Sequence, residues 1–160
     1  MLIVADSSPL ISLAIIERLG LIKELFTEFF VPEEVYQELT LRNKAYNELF
    51  VSFLSHHTKK VHNPMALTGL DMVIDKGEAE AIILALENKI PNILIDDLKG
   101  RRVAKLSSLN VIGTLGVLLQ AKKKGLLTSI KMDMDKLVDH SIYISENLYK
   151  KVLNLANEDL

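Results

Sequence analysis

The chain of 160 residues contains no cysteine, which excludes disulfide bonds and thiolate metal sites. It has no surplus of positive charge either, because 19 Lys and Arg stand against 21 Asp and Glu and give a net charge of -2. Nucleic-acid binding would therefore depend on a local basic patch and not on a global field. No apolar run approaches the roughly 20 residues of a membrane-spanning helix. The hydrophobic content of 49% is sufficient for one folded core.

Several motifs of known chemistry are also missing. The first residues, M-L-I-V-A-D, carry no basic segment and too short an apolar run for a signal peptide, so we expect a cytoplasmic protein. There is no Walker A loop and no G-x-G-x-x-G motif. The polar stretch 55–70 holds His56, His57 and His62, whose spacing fits no strong zinc motif. We predict that this stretch is a mobile loop.

The stretch 93–102, I-L-I-D-D-L-K-G-R-R, joins an apolar run to two acids and a basic cluster. Its first three residues predict a buried strand of a parallel sheet, because they show no alternation. Asp96 and Asp97 follow at the carboxyl end of this strand, where ligands bind in open α/β sheets. At an effective dielectric of about 20 their repulsion is worth roughly 4 kcal/mol, unless solvent or a cation screens it. The alternative is a solvated turn in which Asp97 caps the next helix.

A second unit of strand, acid and helix opens the chain. Residues 2–5 are apolar, and Asp6 follows them directly. We predict that Ser8 caps the following helix and that Pro9 is its first residue. If the two strands are parallel neighbours, Asp6 meets the Asp pair at one edge of the sheet.

Two further acids lie on predicted helices. An apolar stripe near a 3.6-residue period predicts one helix from Pro32 to Phe53, and Glu38 lies at the border of its apolar face. The alternative for Glu38 is an exposed ion pair with Arg42. The sequence D-K-G-E that ends at Glu78 predicts a helix start capped by its Asp, and the apolar residues 79–86 predict that this helix is central.

Basic side chains follow the Asp pair on one predicted helix, at positions Lys99, Arg101, Arg102 and Lys105. Phosphate contacts require such a cluster. A solvated helix face is the alternative explanation.

The order of elements predicts a three-layer α/β/α fold around a central, mainly parallel sheet of four or five strands. We expect a single domain, residues 1–160, in which residues 126–160 form a C-terminal helical extension. The apolar stripe of the last predicted helix, residues 145–156, indicates either core packing or a surface for a dimer or another partner.

The acids collected in this way have few basic neighbours in the sequence. A hard divalent cation with oxygen ligands would relieve the repulsion within such a cluster. Bound Mg²⁺ or Mn²⁺ then suits the hydrolysis of phosphodiester bonds. The residues concerned are Asp6, Glu38, Glu78, Asp96 and Asp97.

The order and spacing of these acids resemble the PIN-domain superfamily, in particular the toxin ribonucleases of bacterial and archaeal toxin–antitoxin operons. The resemblance runs from the first residue to about Gly116. Asp6-Ser7 matches the acid and hydroxyl after the family's first strand, and Glu38 in V-P-E-E-V-Y-Q-E-L matches its helical Glu. Glu78 in G-E-A-E-A-I and the pair in I-L-I-D-D match the remaining acids.

The resemblance implies a site that binds Mg²⁺ or Mn²⁺ and cuts RNA, with Asp6, Glu78 and Asp97 as metal ligands. Asp96 and Glu38 would be further ligands or would orient water. A homodimer and an antitoxin partner are also implied. The residues that would contact RNA are Ser7, Lys99, Arg101, Arg102 and Lys105.

The chain departs from the toxins at two positions. Glu78 stands where they usually have Asp, and the pair Asp96-Asp97 stands where they often have Asn-Asp. A longer side chain would displace a metal ion unless the backbone compensates. We predict a metal-dependent ribonuclease that acts as a toxin or in RNA processing. The alternatives are a catalytically silent PIN-like module that binds RNA or a partner protein, and a phosphoacceptor signalling domain, which usually carries its acid pair earlier in the chain.

Overall fold

The fold centres on a five-stranded sheet whose strands are all parallel. A computed structural model describes every residue from 1 to 160. The strands are β1 (Leu2–Ala5), β2 (Glu28–Pro32), β3 (Thr58–Lys59), β4 (Asn92–Leu94) and β5 (Asn110–Ile112). Across the sheet they stand in the order β3-β2-β1-β4-β5. The predicted α/β class with a central parallel sheet is confirmed.

Ten α-helices and one π-helical turn surround this sheet, and none of the helices has the length and apolar character needed to cross a membrane. The helices are α1 (Ser7–Ile15), α2 (Leu21–Leu25), α3 (Glu33–Gln37), α4 (Asn47–Phe53), α5 (Pro64–Asp71), α6 (Lys76–Glu87), α7 (Leu98–Leu106), α8 (Thr114–Lys123), α9 (Lys131–Asp139) and α10 (Glu146–Leu155). The π-helical turn spans Glu38–Arg42, between α3 and α4.

Both faces of the sheet are covered, which explains the unbroken apolar runs of its strands. Successive side chains of a strand point to opposite faces. Ile3 and Ala5 belong to the larger core and Val4 to the smaller one, and all three are fully buried. The larger core includes residues of α1, α2, α8, α9 and α10, whereas the smaller core lies mainly under α6.

The two C-terminal helices belong to the larger core. Met134 of α9 and Val152 of α10 are buried in it, together with apolar residues of β1. An ion pair connects α9 to the segment between α1 and α2, because Nε of Arg18 lies 3.1 Å from Oδ1 of the buried Asp133. Residues 126–160 are therefore packed against the sheet-covering helices and do not project from them.

The single helix predicted from Pro32 to Phe53 is wrong, because the chain leaves the helical path at Asn43. The side-chain oxygen of Asn43 accepts hydrogen bonds from the amides of Ala45 and Tyr46, at 3.1 and 3.2 Å. Such bonds offer the backbone an alternative to the helical ladder. The result is α3, the π-helical turn and α4 in place of one helix.

The stretch 55–70, predicted as a mobile loop, contains regular structure, namely β3 and most of α5. Nδ1 of His57 lies 3.0 Å from the carbonyl oxygen of Phe29, and the two rings stack with their centroids 4.0 Å apart. Asn63 caps α5 by accepting a hydrogen bond from the amide of Ala66. These contacts fix the stretch against β2, and the loop prediction is wrong.

The first helix also begins earlier than predicted. It starts at Ser7, and Asp6 occupies the N-cap position in place of Ser8. The side chain of Asp6 makes no capping hydrogen bond. Its carboxylate therefore does not cap the start of α1, in contrast to the carboxylates of the acids that precede α6 and α7.

Candidate active site

The acids lie at the point where the strand order of the sheet reverses. From β1 the chain proceeds to β2 and β3 on one side, and it returns to place β4 and β5 on the other. The strands β1 and β4 pair in parallel, and the amide of Asp6 donates to the carbonyl oxygen of Leu94 at 2.9 Å. Asp6 and the pair Asp96-Asp97 therefore follow neighbouring strands at their carboxyl ends. This is the position where doubly wound sheets bind their ligands.

Asp6 is the most deeply buried acid of this edge, with 2% of its surface exposed. Its Oδ1 has no hydrogen-bond partner. The pKa of Asp6 is raised to about 8, mainly by burial and also by the charges of Glu78, Asp75 and Glu38, whereas the amide of Ser7 opposes the rise. Buried polar atoms without a partner are rare in folded proteins and call for a physical explanation.

Glu38 begins the π-helical turn and points towards α1. The hydroxyl of Ser7 donates a hydrogen bond to Oε2 of Glu38 at 2.7 Å. Burial raises the pKa of Glu38, and the Ser7 hydrogen bond opposes this rise. A Cβ atom on Gly77 would lie 2.6 Å from Oε1 of Glu38, so a larger residue there would displace this carboxylate from its present position. Arg42 binds Glu34 at 2.8 Å, and the ion pair considered for Glu38 is not formed.

Glu78 lies in the first turn of α6 and is 4% exposed. Burial raises its pKa to about 7, and the charges of Asp75 and Asp97 contribute to the rise. The predicted cap is confirmed, because the amide of Glu78 donates to Oδ1 of Asp75 at 2.9 Å. A Cβ atom on Gly100 would lie 3.2 Å from Cδ of Glu78, so the missing side chain lets α7 come close.

The two adjacent acids of the edge have different partners. Oδ2 of Asp97 accepts the amides of Lys99 and Gly100 at 3.0 and 3.1 Å, so Asp97 caps α7. The carboxylate of Asp96 accepts both the amide and the hydroxyl of Thr114, at 2.8 and 2.6 Å. Thr114 is the first residue of α8 and was not singled out from the sequence. Its only sequence signal is a hydroxyl at the start of a helix.

The basic residues after the Asp pair lie on α7, as predicted. Lys99, Arg102 and Lys105 are exposed, whereas Arg101 is half-buried and its Nη1 donates to the carbonyl oxygen of Ile95 at 3.0 Å. Ser7, the remaining predicted RNA contact, is 8% exposed and is already bound to Glu38.

The chemistry of these residues fits a hard divalent cation. Asp6, Glu38 and Glu78 offer carboxylate oxygens, none of them forms a salt bridge, and Oδ1 of Asp6 lacks any donor. Burial, and after it the negative charges of neighbouring acids, raise the pKa values of all three, and a cation would lower them. In their present positions, however, no three His, Asp or Glu side chains are arranged closely enough to hold a metal ion.

The sheet order, the helices on both faces and the acids at the switch point define an α/β protein with an acidic edge at the carboxyl ends of its strands. The sequence model of the PIN domain matches residues 2–158, and the chain therefore belongs to the PIN-domain family. The match extends past Gly116 and includes α9 and α10. The PIN superfamily consists in general of nucleases, which typically use divalent metal ions. No curated protein and no solved structure gave a match to the chain.

Proposed function

We propose that this protein is a metal-dependent endoribonuclease that hydrolyses phosphodiester bonds of RNA. The observation that carries the proposal is the buried carboxylate of Asp6, whose Oδ1 has no partner, beside Glu38 and Glu78. A group of this kind destabilises the fold when it is charged, and a bound cation removes the penalty. A fold that retains such a cluster at its ligand-binding edge gains from it through binding or catalysis.

Three acids would hold the cation, namely Asp6, Glu78 and Asp97. When bound, Mg²⁺ or Mn²⁺ lowers the pKa of a water molecule and stabilises negative charge on the phosphate. Glu38 accepts the proton of the attacking water at Oε1, because the hydroxyl of Ser7 occupies Oε2. Burial raises the pKa of Glu38 towards neutral pH, and a general base is most effective when its pKa lies near the working pH.

The remaining predicted residues position the substrate or the site. Asp97 caps α7, and the exposed Lys99, Arg102 and Lys105 on this helix hold phosphates of the RNA. Asp96 fixes the start of α8 through Thr114.

A role as the toxin of a toxin–antitoxin pair rests on the resemblance to the toxin ribonucleases alone. The same is true of an antitoxin partner, a homodimer and a cytoplasmic location. A gene for a small DNA-binding protein immediately beside this one would support the toxin role.

A second candidate function is a silent PIN-like module that binds RNA or a partner protein without cleaving RNA. It is favoured by the positions of the carboxylates, which do not form a closed set of metal ligands. The two proposals differ in a measurable property, because only the enzyme requires the cation.

Calorimetric titration with Mn²⁺ separates the two functions. We expect saturable binding by the wild-type chain and none by the double variant Asp6→Asn/Asp97→Asn. Asp139→Asn, which changes an exposed acid on α9, is the matched control and should bind like the wild type. Cleavage of a mixed-sequence RNA is then measured with the same three proteins. If the wild type binds no Mn²⁺, either alone or with RNA present, and does not cleave the RNA, only the silent module remains.

A further inference from the structure

A cavity of about 590 Å³ lies beside β5, at the open edge of the sheet. Its walls are formed by residues of β5, α8 and α10 and by the segment before α10, and 12 of the 19 lining residues are hydrophobic. Leu148 and Leu155, from the apolar stripe of α10, face this cavity and are 42% and 61% exposed. The stripe is thus only partly used for core packing. We call this cavity the β5 groove.

The β5 groove begins where the candidate active site ends. Asp96, which follows β4, and Arg101 of α7 both line it, together with Thr114. Asp6, Glu38 and Glu78 do not line it. The groove is therefore separate from the cluster of Asp6, Glu38 and Glu78, and Asp96 lies where the groove meets the acidic edge.

Two features of the groove distinguish it from an ordinary apolar interface. Tyr143 lines it and is 88% exposed, which makes it the most exposed large hydrophobic side chain of the protein. Arg101 and Lys151 also line it, against the single carboxylate of Asp96, which is already satisfied by two hydrogen bonds. The groove thus combines an exposed aromatic ring, apolar walls and a surplus of positive charge.

We propose that the β5 groove receives an unpaired base of the RNA, next to the phosphate at the acidic edge. The proposal rests on the proposed function and adds to it a base-binding site outside the cluster of Asp6, Glu38 and Glu78. The ring of Tyr143 stacks on the base, since every base offers a π face. Lys151 and Arg101 are attracted to the flanking phosphates. Bases of a duplex cannot enter, because they remain stacked in the helix interior.

Binding of labelled RNA to the full chain tests this proposal. Fluorescence anisotropy is measured with a single-stranded RNA of mixed sequence and with a duplex of equal length, in Ca²⁺, and a denaturing gel verifies that the RNA stays intact. We expect Tyr143→Ala to weaken binding of the single strand about tenfold and to leave duplex binding unchanged. Tyr143→Phe keeps the ring and should bind like the wild type. Met65→Ala, which removes another exposed apolar side chain outside the groove, is the control.

The two neighbouring lysines of α10 provide a second matched pair. Lys151 lines the groove, whereas Lys150 lies 3.0 Å from Glu146 and does not line it. We expect Lys151→Gln to weaken single-strand binding and to reduce its salt dependence, and Lys150→Gln to change neither.

The outcomes separate this proposal from the proposed function. If Tyr143→Ala binds the single strand as tightly as the wild type does, the groove is not a base site. The nuclease proposal is then unaffected. Absence of RNA binding by the wild type overturns both. Light scattering on the same samples gives the mass of the protein. A dimer that Tyr143→Ala converts to a monomer would make the groove an interface between copies of the chain and would overturn the base site.

Discussion

The hydroxyl of Ser7 donates a hydrogen bond to Oε2 of Glu38 across 2.7 Å and joins the first turn of α1 to the π-helical turn. The two residues are 31 positions apart in the sequence. A π-helical turn is uncommon and is often found at functional sites. Here it begins with Glu38, whose carboxylate is held by a side-chain hydroxyl, as the carboxylate of Asp96 is held by that of Thr114.

Ser7→Ala should lower kcat of RNA cleavage by about ten- to hundredfold, because Glu38 loses the group that orients it. The lost hydrogen bond favoured the charged form of Glu38, so the pKa of Glu38 should rise further. The acidic limb of the pH–rate profile should therefore move to higher pH. Ser7→Thr retains the hydroxyl and should restore both properties. A lower kcat without any shift of the acidic limb would assign Ser7 another role.

Asp6→Asn should stabilise the metal-free protein at neutral and higher pH. Burial raises the pKa of Asp6 from its ordinary value of 3.8 to about 8, so the folded state binds the proton more tightly than the unfolded state. The free energy of unfolding should then fall as the pH rises between these values, by about 1.4 kcal/mol for each unit of effective pKa shift. Urea unfolding in EDTA at several pH values measures this slope. The variant should show a flatter slope, and equal slopes would contradict the raised pKa of Asp6.

Gly100→Ala should destabilise the protein by roughly 1–3 kcal/mol, as is usual when atoms are forced into a packed region. A Cβ atom at this position would lie 2.5 Å from Cδ1 of Ile95 and 3.2 Å from Cδ of Glu78. Loss of Mn²⁺ affinity should accompany the loss of stability, because Glu78 must move. Gly69→Ala is the control, since nothing lies within 4 Å of the added atom. That helical change should be neutral or stabilise by up to about 1 kcal/mol.

Removal of residues 126–160 should abolish cooperative unfolding. We propose that the chain is a single domain to which these residues belong, because Met134 and Val152 are buried in the core that contains β1. Arg18 would also lose its partner Asp133. Thermal unfolding followed by circular dichroism tests the truncated chain. Removal of residues 159–160 alone is the control and should leave the transition unchanged, and a sharp transition in the longer truncation would show that the extension is a separate unit.

Local signals in the sequence predicted much of the sheet and its edge. The unbroken apolar runs of β1 and β4 indicate strands buried on both faces, and an acid follows each of them. The caps at Asp75 and Asp97 were also predictable, since each acid binds amides two or three residues away. Such interactions depend only on neighbouring residues in the chain.

The partners of Glu38 and Asp96 could not be predicted, because the chain must fold before they meet. Ser7 lies far from Glu38 in the sequence, and Thr114 is 18 residues from Asp96. The break at Asn43 was missed for another reason, since an apolar stripe continues across it and hides a side-chain turn. A local side-chain hydrogen bond here overrides a regular pattern of hydrophobic residues.

Gly77 and Gly100 lie directly against the carboxylates of Glu38 and Glu78, and this arrangement determines how the site tolerates mutation. An acid can be exchanged for its amide at nearly constant volume, so the fold survives while the charge is lost. Glycine has no substitute of equal size, so any replacement acts on the packing first. In a saturation library, selection for folded protein should therefore identify the two glycines, and selection for RNA cleavage should identify the acids that they accommodate.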